Sequence, residues 1–227
     1  MGEPREVMVD KADDLLKYDS LAFFGKVNAS ISHELKNIMA IISETAGLLG
    51  DLADLASREN PVEPDMLKNC AGSIVEEIQR GFSTIRQMNR FSHSVDIPIQ
   101  TVNLLDTLDL VIHLSAFLSF AGTARITISE ADKPVVLTCP FLLQTVFYQA
   151  LLHTYKYSGP GSEISVSIDA QDPSAWRIAF SGAEAKQPVS FPDEATARTA
   201  AAIGLSIHFD GPAGRLELTV PHTIESV

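Results

Sequence analysis

The chain has 227 residues, 45% hydrophobic and 20% charged, a balance that fits a soluble globular protein with one large or two small domains. Its 29 Asp and Glu outnumber 17 Lys and Arg, and the net charge of -12 argues against nucleic acid, since each phosphate contact needs a cationic side chain. Cys70 and Cys139 have no CxxC spacing, no apolar run approaches the roughly 18 residues of a membrane span, and "MGEPREVMVDKADDLL" is too acidic for a signal peptide, so a cytoplasmic protein with two reduced thiols is expected.

From Leu21 to Leu55 the positions Phe24, Val27, Ile31, Leu35, Ile38, Ile42, Thr45, Leu49 and Leu52 recur at steps of three and four, a heptad-like seam. "SRENPVEPD" interrupts it with Asn60, Pro61 and Pro64, and Pro64 suits a first helical turn. A second helix is predicted over 64–94 through Leu67, Ala71, Ile74, Ile78, Phe82, Ile85, Met88 and Phe91, ending before Pro98. Two such helices make an antiparallel hairpin that cannot cover both apolar stripes alone. Pairing with a second copy, a homodimeric four-helix bundle, satisfies them.

After residue 100 the texture changes. "NLLDTLDLVIHLSAFLSFA" reads as a helix, with Asn103 and Asp106 resembling a capping box. "ARITIS" and "VVLTC" read as strands, and a helix opens at Pro140. "SGPGS" is a turn, "EISVSID" and "WRIAFSG" are strands, "DEATARTAAAIGLSIHF" a helix and "RLELTVP" a closing strand. This order predicts an α+β fold in two domains, a helical hairpin over 1–97 and an α/β sandwich over 98–227, whose mixed sheet has about five strands with helices on one face.

"SISHELKNIM", 30–39, gathers reactive groups on the first helix. His33, Lys36, Asn37 and Ala40 fall on one face, offset from Ile31, Leu35 and Ile38, so His33 faces solvent. A neutral imidazole attacks through one ring nitrogen when the other N–H is held, and Glu34 is adjacent to hold it. Asn37 is suited to bind a phosphate oxygen or orient a water. An exposed helical His is more often surface decoration, and these residues alone leave both readings open.

"FFGKVNASISHELKNIMAIISETAGLL" resembles the H-box of sensor histidine kinases, whose dimerising hairpin carries His-Glu-Leu-Lys/Arg-Asn/Thr-Pro-Leu. The match is His33, Glu34, Leu35, Lys36 and Asn37, with Ile38 in place of the proline, and with "EEIQRGFSTIRQMNRFS" it covers about 20–94. The resemblance implies that His33 accepts a phosphoryl group, that Glu34 assists it, and that Asn37 serves in dephosphorylating a partner.

The second domain resembles the family's ATP-binding domain but departs from it at each strong contact. Gln149 and His153 stand where two asparagines would bind metal and phosphate, and His153 is a poor Mg²⁺ ligand. "IAFSGAEAKQ" has Phe180, Ser181 and Gly182 where an adenine-reading Asp is expected, with Glu184 displaced, and "ATARTAAAIGLSIHF" keeps only Gly204 of the glycine-rich lid. Three losses argue against ATP-dependent autokinase activity.

A hairpin dimer with His-Glu intact beside a degenerate ATP-binding-like domain is similar to the dimeric histidine phosphotransferases of phosphorelays. That resemblance implies transfer from one response-regulator receiver domain to another through His33, with Glu34, Lys36 and Asn37 assisting. It also implies no cofactor on this chain and Mg²⁺ on the receiver. Kinase or response-regulator phosphatase activity, and a non-catalytic scaffold that binds receivers, remain alternatives. The expected receiver contact lies around Ala29, Met39, Ala40 and Phe24. His93, His113, His153, His208 and His222 show no metal-ligand spacing, and Trp176 reads as core.

Overall fold

A computed structural model describes residues 4–56, 61–115, 123–128, 134–158, 163–182, 191–210 and 214–224. The fold is α+β, a helical region followed by mixed helix and sheet. It divides into two compact units, Asn28–Arg90 and the remainder, Met1–Val27 with Phe91–Val227.

The first unit is formed by stretches of α1 (Pro4–Leu55) and α2 (Pro64–Ser92). Among the described side chains of α1 the buried positions are Phe23, Val27, Ile31, Glu34 and Ile38, at steps of four, four, three and four, the last three of them in this unit. The seam expected at Leu35 therefore runs through Glu34, and Leu35 is only half-buried. In α2 the seam is offset as well. Cys70, Gly81 and Thr84 are buried, whereas Leu67, Ala71, Ile78, Phe82 and Ile85 are exposed. Gly81 faces Ile38, and a Cβ added there would lie in ordinary contact with Ile38 Cγ2.

In the second unit a five-stranded mixed sheet has the order β2 (Thr123–Ile128), β4 (Glu163–Asp172), β5 (Ala175–Ser181), β7 (Arg215–Pro221), β6 (Ser206–Asp210). Only β2 and β4 run parallel, and the other neighbours pair antiparallel. Ile164, Val166, Ile168, Ile178, Phe180, Leu216, Leu218 and Val220 form its buried face. The alternating positions Ser165, Ser167, Glu217 and Thr219 keep solvent access, the period-2 signature of a sheet covered on one side.

The cover comes mainly from α4 (Pro140–Ser158), whose residues Phe141 to Tyr148 are all buried. A helix apolar all round must be packed on both sides. Leu143, Phe147 and Leu151 are core residues, and each fully buried side chain of this kind stabilises by about 1.5–3 kcal/mol. Phe23 of α1 sits edge-on to Phe91, Phe141 and Tyr148, with centroids 5.6, 5.7 and 5.2 Å away. Asp19 adds an ion pair to Arg198 at 2.9 Å. Helix α3 (Leu104–Ser115) packs against α4, and Asn103 Oδ1 accepts from the Leu105 N–H at 2.8 Å, so Asn103 does cap that helix.

Strand membership departs from the sequence expectation in two places. "VVLTC" supplies β3 (Val135–Thr138), which pairs with the unforeseen β1 (Gln100–Asn103) in a separate two-stranded sheet. The fifth strand of the main sheet comes from the segment expected to continue a helix. That helix, α5 (Glu194–Ala202), stops because Gly204 takes φ +64°. The Leu205 N–H then returns to the Ala200 carbonyl at 2.9 Å and the Gly204 N–H to that of Ala201 at 3.1 Å, a Schellman closure. "GPAG" at 211–214 and "SGPGS" at 158–162 lie largely outside the described residues.

Candidate functional site

His33 lies in the middle of α1, on its solvent face. Its ring is exposed, as are Lys36 and Asn37, while Glu34 is turned to the buried seam. One helical turn separates His33 from Asn37, and the Asn37 amide Nδ2 stands 3.3 Å from His33 Nδ1. The residue that reaches the imidazole is thus Asn37.

Glu34 does something else. Its side chain retains 10% exposure, and its carboxylate is ion-paired with the Arg80 guanidinium of α2, which also contacts Glu77 at 3.3 Å. The Arg80 carbonyl accepts a hydrogen bond from Thr84 Oγ1 at 3.0 Å. The acceptor role expected of Glu34 toward His33 is not what this geometry holds, because a carboxylate on the seam needs a cation across it. Arg80 and Glu77 escaped the sequence reading. The signal available was an acid at a seam position of one helix and a basic residue on the other.

Ala29, Met39 and Ala40 are exposed on α1 beside the His33 turn, Met39 at 59%. Phe24 is half-buried and stacks on Phe91 with centroids 5.4 Å apart.

His153, 8% exposed, packs on Phe191 at 4.3 Å and edge-on to Phe209 at 5.2 Å. Burial, with Lys156 adding repulsion, pulls its pKa from 6.5 to about 4, so at neutral pH the ring is uncharged. Gln149 borders a cavity of about 190 Å³ with Lys26, Thr145 and Thr196, small beside the about 300–1,000 Å³ of ligand pockets. Phe180 is core, and Gly182 adopts φ +129° where a Cβ would meet the Glu163 carbonyl oxygen at 2.9 Å. Gly204 is accounted for as the α5 terminator, and Glu184 lies outside the described residues. Among the described residues no cluster of three His, Cys, Asp or Glu could hold a metal, and no helix is long and apolar enough to cross a membrane.

No family model matches the chain, and no curated protein matches it. Among solved structures it is similar to a mycobacterial sensor histidine kinase, MprB, at 14% identity and TM-score 0.44 over 55% of this chain and 98% of that one. It is also similar to the Acinetobacter baumannii histidine kinase AdeS, at 11% identity and TM-score 0.44 over 84% of this chain and 98% of that one. The cytoplasmic segment of histidine kinase QseC gives 15% identity and TM-score 0.41 over 64% of this chain and 95% of that one. At this level of likeness the functional reading rests on His33 and its neighbours.

Proposed function

We propose that this chain is a cytoplasmic, homodimeric histidine phosphotransferase of a two-component phosphorelay. His33 takes a phosphoryl group from the aspartate of one response-regulator receiver domain and passes it to another. The observation that supports it most is an exposed imidazole, bonded to Asn37, on a helix anchored one residue away by the Glu34–Arg80 pair.

Phosphoryl transfer asks chiefly for positioning and charge stabilisation. A ring-nitrogen lone pair of His33 attacks phosphorus while the P–O bond to the receiver aspartate breaks, and that carboxylate leaves. The reverse step on a second receiver completes the relay. Lys36, exposed on the same helical face, is suited to a non-bridging phosphoryl oxygen. Glu34 contributes by fixing the helix at this turn rather than by contacting the ring. Mg²⁺ belongs to the receiver, and this chain binds no cofactor of its own. Neither nucleic acid nor membrane is a partner in this reading.

A second copy is the occupant proposed for the apolar stripe Leu67, Ala71, Ile78, Phe82 and Ile85, whose spacings of four, seven, four and three suit a bundle seam. Asn37, exposed one turn beyond His33, favours response-regulator phosphatase activity as the second reading.

Incubating the chain with a ³²P-labelled receiver separates these. Transfer leaves an acid-labile label on the chain. The phosphatase drains the receiver without labelling the chain and loses activity in Asn37→Ala. A scaffold binds receivers and does neither.

A further inference from the structure

We infer that Asn37 is a positioning residue that sets the tautomer of His33, and that rotation of its amide switches the imidazole between a resting and a nucleophilic form. The residue beside His33 that could have held its ring, Glu34, is committed to Arg80 on the buried seam. The contact on the ring is the Asn37 amide at 3.3 Å from Nδ1. An amide differs from a carboxylate here in a way that matters. It carries a donor at one end and an acceptor at the other, so a half-turn about the terminal bond exchanges the two at the same place.

With Nδ2 toward the ring, as found, the amide donates to Nδ1, which must then be the unprotonated nitrogen. The ring proton sits on Nε2, and the outward nitrogen has no free lone pair. With Oδ1 toward the ring, Nδ1–H donates to Asn37 and Nε2 is free to attack. In that form the group transfer balances without moving a proton. The Nε2–P bond forms, the P–O bond to the receiver aspartate breaks with its electron pair leaving on the carboxylate, and Nδ1 keeps its hydrogen against Oδ1. From the resting form, the same step would have to expel the Nε2 proton to a base, and Glu34 is not placed to take it. Asn37 is exposed, so its amide can turn without repacking a core.

The consequence for transfer rests on the phosphotransferase reading, while the tautomer itself does not. The test therefore has two arms on the full chain. In the first, ¹⁵N-histidine-labelled protein is followed by long-range ¹H–¹⁵N correlation under conditions where the rings are neutral, with His33→Gln assigning the His33 signals. Wild type should show Nδ1 as the acceptor nitrogen. Asn37→Asp, which offers only acceptors, should invert the pattern and protonate Nδ1, and Asn37→Leu should move His33 toward a mixture of forms. Identical His33 shifts in all three overturn the inference. In the second arm, transfer from a phosphorylated receiver should be faster in Asn37→Asp, which holds the Nδ1 proton and leaves Nε2 free, than in Asn37→Leu, where no acceptor holds that proton. Shifts that respond while Asn37→Leu transfers as fast as Asn37→Asp overturn the switch. Shifts that respond while even wild type takes no phosphoryl group uphold the tautomer and remove the phosphotransferase reading instead.

Discussion

The two compact units each carry a histidine on a long helix, and they treat it in opposite ways. On α1, His33 is exposed, with a polar amide one turn away and apolar residues of the neighbouring helix left uncovered. On α4, His153 is enclosed by Phe191 and Phe209 and held neutral by burial. The hairpin keeps its histidine on an exposed stripe, and the sandwich packs its histidine among aromatic rings. What a histidine does is decided by the stripe of the helix it occupies.

The largest expected effect is on the sandwich core. Phe147→Ala should cost about 3–5 kcal/mol, the range for deleting a buried aromatic, measured by denaturant unfolding. On the hairpin seam the Glu34–Arg80 pair is a polar clamp. Arg80→Ala strands the Glu34 carboxylate on the seam and should cost about 1–3 kcal/mol, and Glu34→Leu in the same chain should restore most of it. A double variant no more stable than Arg80→Ala would show that the clamp is not what holds this turn.

His153 should make the sandwich acid-sensitive. Its native ring stays neutral down to about pH 4, whereas the unfolded one takes a proton near 6.5, so the unfolded chain binds more protons between those values. Stability is full above pH 6.5 and falls as the pH drops toward 4, by about 1–3 kcal/mol. The fall should be reduced in His153→Leu, as read from unfolding curves across that window. On the hairpin, Phe82→Glu puts a charge into the uncovered stripe and should shift the chain from dimer to monomer in light scattering, with little loss of helix.

The sequence carried the fold class because its strongest signals were long-range periods, and these survive local irregularity. The heptads of α1 and α2 and the alternation of β4, β5 and β7 were legible for that reason. Boundaries set by one residue were not. Alanines preceding Gly204 read as an uninterrupted helix, although Ile203, Leu205, Ile207 and Phe209 alternate and could have shown β6. At the candidate site, the exposure of His33, Lys36 and Asn37 followed from helical spacing alone. The partner of Glu34 did not, because spacing along one helix does not say which residue of another stands opposite. At this turn the buried position is Glu34 rather than the half-buried Leu35, one residue before the apolar pattern, and Arg80 stands across from it.

The most direct measurement is label transfer from a ³²P-receiver to three chains side by side, wild type, His33→Ala and His153→Ala, each checked for folding by circular dichroism. The expected result is an acid-labile label on wild type and His153→Ala and none on His33→Ala. Label retained by His33→Ala, or lost equally from both variants, would contradict His33 as the group that carries the phosphoryl.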